Sequence, residues 1–121
     1  MTGTDDARAA LLAERTQVQG RLAGLERDFT TTVEATDGAN SDDEHDPEGA
    51  TIAFERQHVA AQIGRALDQL GEIDAALSRL DAGSYGVCAD CGKQIPPARL
   101  EARPAAATCV DCAGRRRPAS R

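Results

Sequence analysis

A chain of 121 residues and 12.7 kDa with 2 % aromatic residues and no Trp excludes a large compact core, and leaves room for one domain or for an elongated element with a small module attached. Its formal net charge of −6 argues against nucleic-acid binding by the whole surface. The charge is divided: residues 1–83 carry 17 acidic and 7 basic side chains, and residues 84–121 carry 3 and 7, so the two parts are expected to meet different surroundings. No apolar run approaches the roughly 20 residues that span a bilayer, and the start "MTGTDDARAALLAER" is acidic, unlike a secretory signal. The expectation is a cytoplasmic protein without membrane contact.

The first predicted element is a helix in which Leu11, Val18, Leu22, Leu25 and Phe29 follow alternating steps of three and four, with Arg15 taking one seam position. The pattern stops after Val33. The stretch "EATDGANSDDEHD" combines turn formers and carboxylates without a basic residue and predicts an acidic loop, the tip, near residues 35–48. Asp46 suits an N-cap and Pro47 the first position of a second helix, whose seam is Ile52, Val59, Ile63, Ala66, Leu70, Ile73, Leu77 and Leu80 and whose stop is Gly83.

Two helices with one narrow apolar stripe each and a short connection predict an antiparallel coiled-coil hairpin over residues 1–83, an arm of roughly 45 Å. A monomer follows if each stripe covers the other. The competing arrangement is a coiled coil between chains.

Residues 84–114 form the second predicted module. Cys88/Cys91 and Cys109/Cys112 are two Cys-x-x-Cys pairs separated by 17 residues, with Gly86 and Gly92 easing the first turn. In a reducing cytoplasm this spacing points to one metal ion rather than to disulfides. Zinc fits, iron in the same tetrahedron being the alternative. Four cysteines leave no open coordination position, so the ion is structural, and a redox dithiol lacks the strand and helix pattern such motifs occupy. Lys93, Arg99 and Arg103 are candidates for offsetting the charge of the thiolates. Residues 115–121 read as a basic flexible tail, where Pro118 discourages a helix. No catalytic residue is expected: His45 and His58 have no evident nucleophile, and loop carboxylates have no pocket to tune them.

The run "GSYGVCADCGKQIPPARLEARPAAATCVDC", placed after a long helix with an acidic turn before it, resembles the DksA/TraR family of bacterial transcription regulators. The Tyr-Gly-x-Cys-x-x-Cys-Gly and Arg-Leu-Glu-Ala-Arg-Pro segments carry the resemblance, and the hairpin matches in architecture. It implies a mainly α protein that binds RNA polymerase directly, passes its coiled coil into the secondary channel and modulates initiation through acidic tip residues. No sequence-specific DNA contact is then expected. The founding branch of the family carries an Asp-x-x-Asp-x-Ala tip. Counting back from Cys88 brings Asp46, Gly49 and Thr51 to or near those places, and a second register uses Asp43, Asp46 and Glu48. Some members bind guanosine tetraphosphate through basic residues; Arg65 and Arg103 match that set, while Glu72 and Ala113 stand where the family has lysine. The competing function is a DNA-binding or scaffolding zinc module whose Arg115, Arg116, Arg117 and Arg121 neutralise phosphates.

Overall fold

The computed structural model describes residues 2–39 and 47–116, which form helices α1 (Thr2–Ala39), α2 (Pro47–Ala82), α3 (Pro97–Ala102) and α4 (Val110–Arg116). The predicted class is found: two long helices packed as a hairpin, then a small module built around the four cysteines. Antiparallel pairing is visible in the ion pairs, because Arg8 meets Asp81 at 3.0 Å and Arg15 meets Asp74 at 3.1 Å. Seven residues forward on one helix correspond to seven back on the other.

The seam is the predicted stripe, graded in depth. Leu11 and Val18 of α1 and Val59, Ala66, Ile73 and Leu80 of α2 are buried, whereas Leu22, Leu25, Ile63, Leu70 and Leu77 are half-buried. The buried positions of α2 recur every seven residues, as one heptad position pointing at the partner helix requires. Ala76, absent from the predicted seam, is fully enclosed, while Leu77 beside it is not.

Helix α1 runs to Ala39, past Val33 where the apolar pattern ends and into the stretch predicted as loop. A formed helix adds residues at little cost, so the end of an apolar stripe marks where packing stops rather than where the helix stops. Pro47 opens α2 as predicted. At the other end, Ser84 N–H donates to Arg79 O at 2.9 Å and Gly83 N–H to Leu80 O at 3.3 Å. This is a Schellman closure with Gly83 at φ 82°, a left-handed conformation that glycine adopts without a Cβ penalty.

The chain forms two compact units, Thr16–Leu70 and Met1–Arg15 with Gly71–Arg121. The division does not fall at Gly83, because Glu72 and Arg79 of α2 contact the cysteine module directly. Within the unit of Met1–Arg15 and Gly71–Arg121 the module is therefore continuous with the paired ends of α1 and α2. In the other unit Arg21 Nη2 donates to Gln69 Oε1 at 2.9 Å. Among the described residues no helix is long and apolar enough to cross a membrane.

Arg15, the charged residue predicted in the seam, has side-chain exposure of 41 % and its partner Asp74 56 %. Its Nε is enclosed without a well-directed hydrogen bond, so the contact with Asp74 is ionic. A wet pair of this kind contributes about 0.2–1 kcal/mol. Asp74→Ala should therefore cost less than about 1 kcal/mol in urea unfolding, and Arg15→Leu, which completes the apolar stripe, should leave the hairpin as stable or more so.

Candidate metal centre

The cysteine module is built from two tight segments. In the first, Cys88 N–H donates to Lys93 O at 2.8 Å, Gly92 N–H to Cys88 O at 3.0 Å and Ile95 N–H to Gly86 O at 2.8 Å. These bonds, with the antiparallel bridge between Val87 and Gln94, fold residues 86–95 into a narrow loop carrying Cys88 and Cys91. Gly92 sits at φ 77°, which turns the chain back after Cys91 and which side-chain-bearing residues rarely adopt. In the second segment Cys109 directly precedes α4 and Cys112 lies in its first turn, with Ala113 N–H donating to Cys109 O at 2.9 Å.

The stretch between α3 and Cys109 has no regular structure of its own, yet five consecutive carbonyls, 104–108, are satisfied from elsewhere in the module or from α2. Tyr85 hydroxyl donates to Pro104 O at 2.8 Å, Arg79 Nη2 to Ala105 O and Ala106 O at 3.5 and 3.4 Å, Ala89 N–H to Ala107 O at 2.8 Å, and Arg99 Nε to Thr108 O at 2.7 Å. Buried irregular backbone requires this kind of complete pairing. Burial pushes the Tyr85 phenol above its ordinary pKa, with Arg79 pulling it the other way, so it stays protonated as the donor this contact needs. Arg79 ties the end of α2 to the strip that delivers Cys109.

All four cysteines are free, and their sulfurs lie within 4.8 Å of one another. A tetrahedron with Zn–S arms of about 2.3 Å has edges of about 3.8 Å; Cys91 Sγ and Cys109 Sγ are 3.9 Å apart. The donor set and its spacing thus fit one Zn²⁺ with four thiolate ligands. Cys88, Ile95 and Cys112 form the small core of the module, with Leu100 of α3 and Cys109 packed against it.

As free thiols the two buried cysteines differ. Backbone N–H groups, that of Cys91 foremost, hold Cys88 down at about 6 against the opposing effect of burial, whereas burial and the neighbouring thiols push Cys112 up to about 12. The donors around Cys88 favour its thiolate, the form that binds a metal. Burial and the neighbouring thiols disfavour the Cys112 thiolate, which a metal stabilises by taking the proton's place.

Of the residues predicted to offset the thiolates, Arg99 holds Thr108 O and Arg103 faces Glu72 at 4.0 Å. The arginine that reaches sulfur is Arg115, whose Nη2 donates to Cys112 Sγ at 3.2 Å. The predicted flexible tail, residues 115–121, begins at this residue. Instead α4 continues to Arg116, four residues past the last cysteine and short of Pro118. The signal was the spacing Cys112-x-x-Arg115, which on a helix puts both side chains on one face.

Arg103, Arg79, Arg99 and Glu72 line a cavity of about 380 Å³ beside the module, with Thr108 and Ala113. Arg65, the other predicted ligand contact, is exposed on α2 in the other compact unit. Of the predicted tip, Asp43 and Asp46 lie outside the described residues, and Glu48 falls in the first turn of α2.

Residues 83–118 match the family described as prokaryotic dksA/traR C4-type zinc finger. The RNA polymerase-binding transcription factor DksA of Haemophilus influenzae is 49 % identical over 69 residues, covering 54 % of this chain and 48 % of that protein. The chain thus spans about half the length of that relative. General stress protein 16O of Bacillus subtilis is 33 % identical over 113 residues, 84 % of this chain and 68 % of that one. Among solved structures, transcription factor DksA2 from Pseudomonas aeruginosa superposes with a TM-score of 0.78 at 28 % identity, over 96 % of this chain and 84 % of that one.

Proposed function

The chain belongs to the DksA/TraR C4-type zinc-finger family, whose members are transcription factors and not enzymes, and on that premise we propose that it binds RNA polymerase directly and modulates initiation through its helical hairpin. The zinc module serves as the mount. The carrying observation is the way the module is fastened to the end of α2, by Arg79 on the carbonyls of Ala105 and Ala106, because a hairpin can present its far end to a partner only if its base is held.

The connection between α1 and α2 reads "NSDDEHD", with four carboxylates and no Lys or Arg. Carboxylates of this density suit a site organised around Mg²⁺ or the basic groups near it. Entry of the hairpin into the secondary channel, with Asp43, Asp46 and Glu48 acting there, is the mechanism we assign. Arg65 and Arg103 are then contacts to polymerase. A tetraphosphate nucleotide is disfavoured beside Arg103, since Glu72 already brings a carboxylate to within 4.0 Å of that guanidinium. The protein acts in the cytoplasm as a monomer and reads no promoter sequence; α3 and α4 have only 6 and 7 residues, and the Arg115 guanidinium is engaged with Cys112 sulfur.

Copurification with core polymerase and in vitro transcription test this reading together. Replacing Asp43, Asp46 and Glu48 by Asn, Asn and Gln removes charge at almost constant size, so the triple variant should still bind polymerase yet lose its effect on initiation. Full regulatory activity in that variant would remove the tip from the mechanism. Failure of the unaltered protein to bind polymerase would remove the proposal itself.

A further inference from the structure

Four thiolates around one Zn²⁺ leave a net charge of about −2, and in this module that charge is unevenly placed with respect to water. Cys91 is exposed and Cys109 half-buried, so both sulfurs have a route to solvent, but Cys88 and Cys112 are 2 and 3 % exposed. Their thiolates depend on donors from the protein. Cys88 receives the backbone N–H of Cys91 at 3.5 Å. Cys112, on a helix whose amides point along the axis, receives a guanidinium: Arg115 Nη2 at 3.2 Å, from one turn further along α4.

We propose that Arg115 is a positioning residue of the zinc centre, whose guanidinium donates a charge-assisted hydrogen bond to the buried Cys112 thiolate, offsets the negative charge of the site and slows loss of the metal. A donor on a ligand atom lowers the cost of keeping that ligand ionised away from water, and contacts of this kind govern metal affinity as much as the ligands' own geometry. The helix contributes twice, since the same short element supplies the fourth ligand and its counter-charge. This role does not depend on what the protein binds.

The experiment uses the full chain loaded with zinc, and compares Arg115→Ala, Arg115→Lys and Arg103→Ala. Arg103, paired with Glu72, is an equal charge of the same module placed elsewhere. Transfer of zinc to a chromophoric chelator should be fastest from Arg115→Ala, with affinity reduced roughly 10- to 100-fold. Arg115→Lys should lie between that variant and the parent, and Arg103→Ala should match the parent. Alanine is a better helix former than arginine, so weaker metal binding in Arg115→Ala would not come from a less stable α4. Loading with Co²⁺ gives an independent readout: loss of a hydrogen bond to sulfur should move the sulfur-to-cobalt charge-transfer band to lower energy in Arg115→Ala alone. Parent-like zinc retention and an unshifted band in Arg115→Ala, or an equal loss in Arg103→Ala, would overturn the proposal.

Discussion

Cys109→Ser protein should come off a column with little zinc and an unfolded module, while most of its helical signal survives. The module's core consists of Cys88, Ile95 and Cys112 with Leu100 and Cys109 against it. That is too little apolar surface to order some thirty residues without the metal, so zinc binding and folding of this segment are one process. Helices α1 and α2 contain 38 and 36 residues, against 6 and 7 in α3 and α4, so far-UV circular dichroism should fall only slightly. Hydrogen exchange should separate the parts: the amides of Cys88, Ala89 and Ile95, bonded to Lys93, Ala107 and Gly86, should lose protection, and those in the middle of α2 should keep it. A variant that retains one tightly bound zinc with these amides protected would show that three cysteines suffice. Acid should empty the parent site in the same way, since protons compete with the metal for every thiolate.

Ile73→Asp should unfold the hairpin where Cys109→Ser spares it. Ile73 is 1 % exposed and lies between Ala66 and Leu80 in the buried row of α2. A carboxylate there is cut off from water, and a buried charge left uncompensated costs about 3–5 kcal/mol. The same change at Leu70, only half-buried, should cost less, and at Leu12, 45 % exposed, almost nothing. Urea unfolding of the three variants checks the order. An unfolding midpoint that does not vary with protein concentration is the expected mark of pairing within one chain, and a midpoint rising with concentration would favour pairing between chains.

The heptads carried the hairpin because burial along a helix pair is periodic: Leu11, Val18, Val59, Ala66, Ile73 and Leu80 repeat every seven residues within each helix, and that repeat is written in the residues themselves. The zinc site was legible for a related reason, since a Cys-x-x-Cys pair brings two sulfurs together through one turn whatever surrounds it. The end of α1 was not, because a helix continues past its apolar stripe until something breaks it, and the stretch to Ala39 has no apolar period to read. Nor was Ala76, whose small side chain is enclosed by what packs over it rather than by its own hydrophobicity.

What only the tertiary structure decided is which charge meets which group. Lys93, Arg99, Arg103 and Arg115 are interchangeable in a count of basic residues near the cysteines, yet Arg99 closes a backbone carbonyl, Arg103 faces Glu72 and Arg115 alone donates to sulfur. Likewise Arg79, an unremarked position near the end of α2, holds the carbonyls of Ala105 and Ala106 across 26 and 27 residues of chain. Apolar period and ligand spacing are local, and a local pattern can be read along the chain. A hydrogen bond needs its donor within about 3.5 Å of its acceptor and aimed at it, and for residues far apart in sequence that condition is met only by the packed fold.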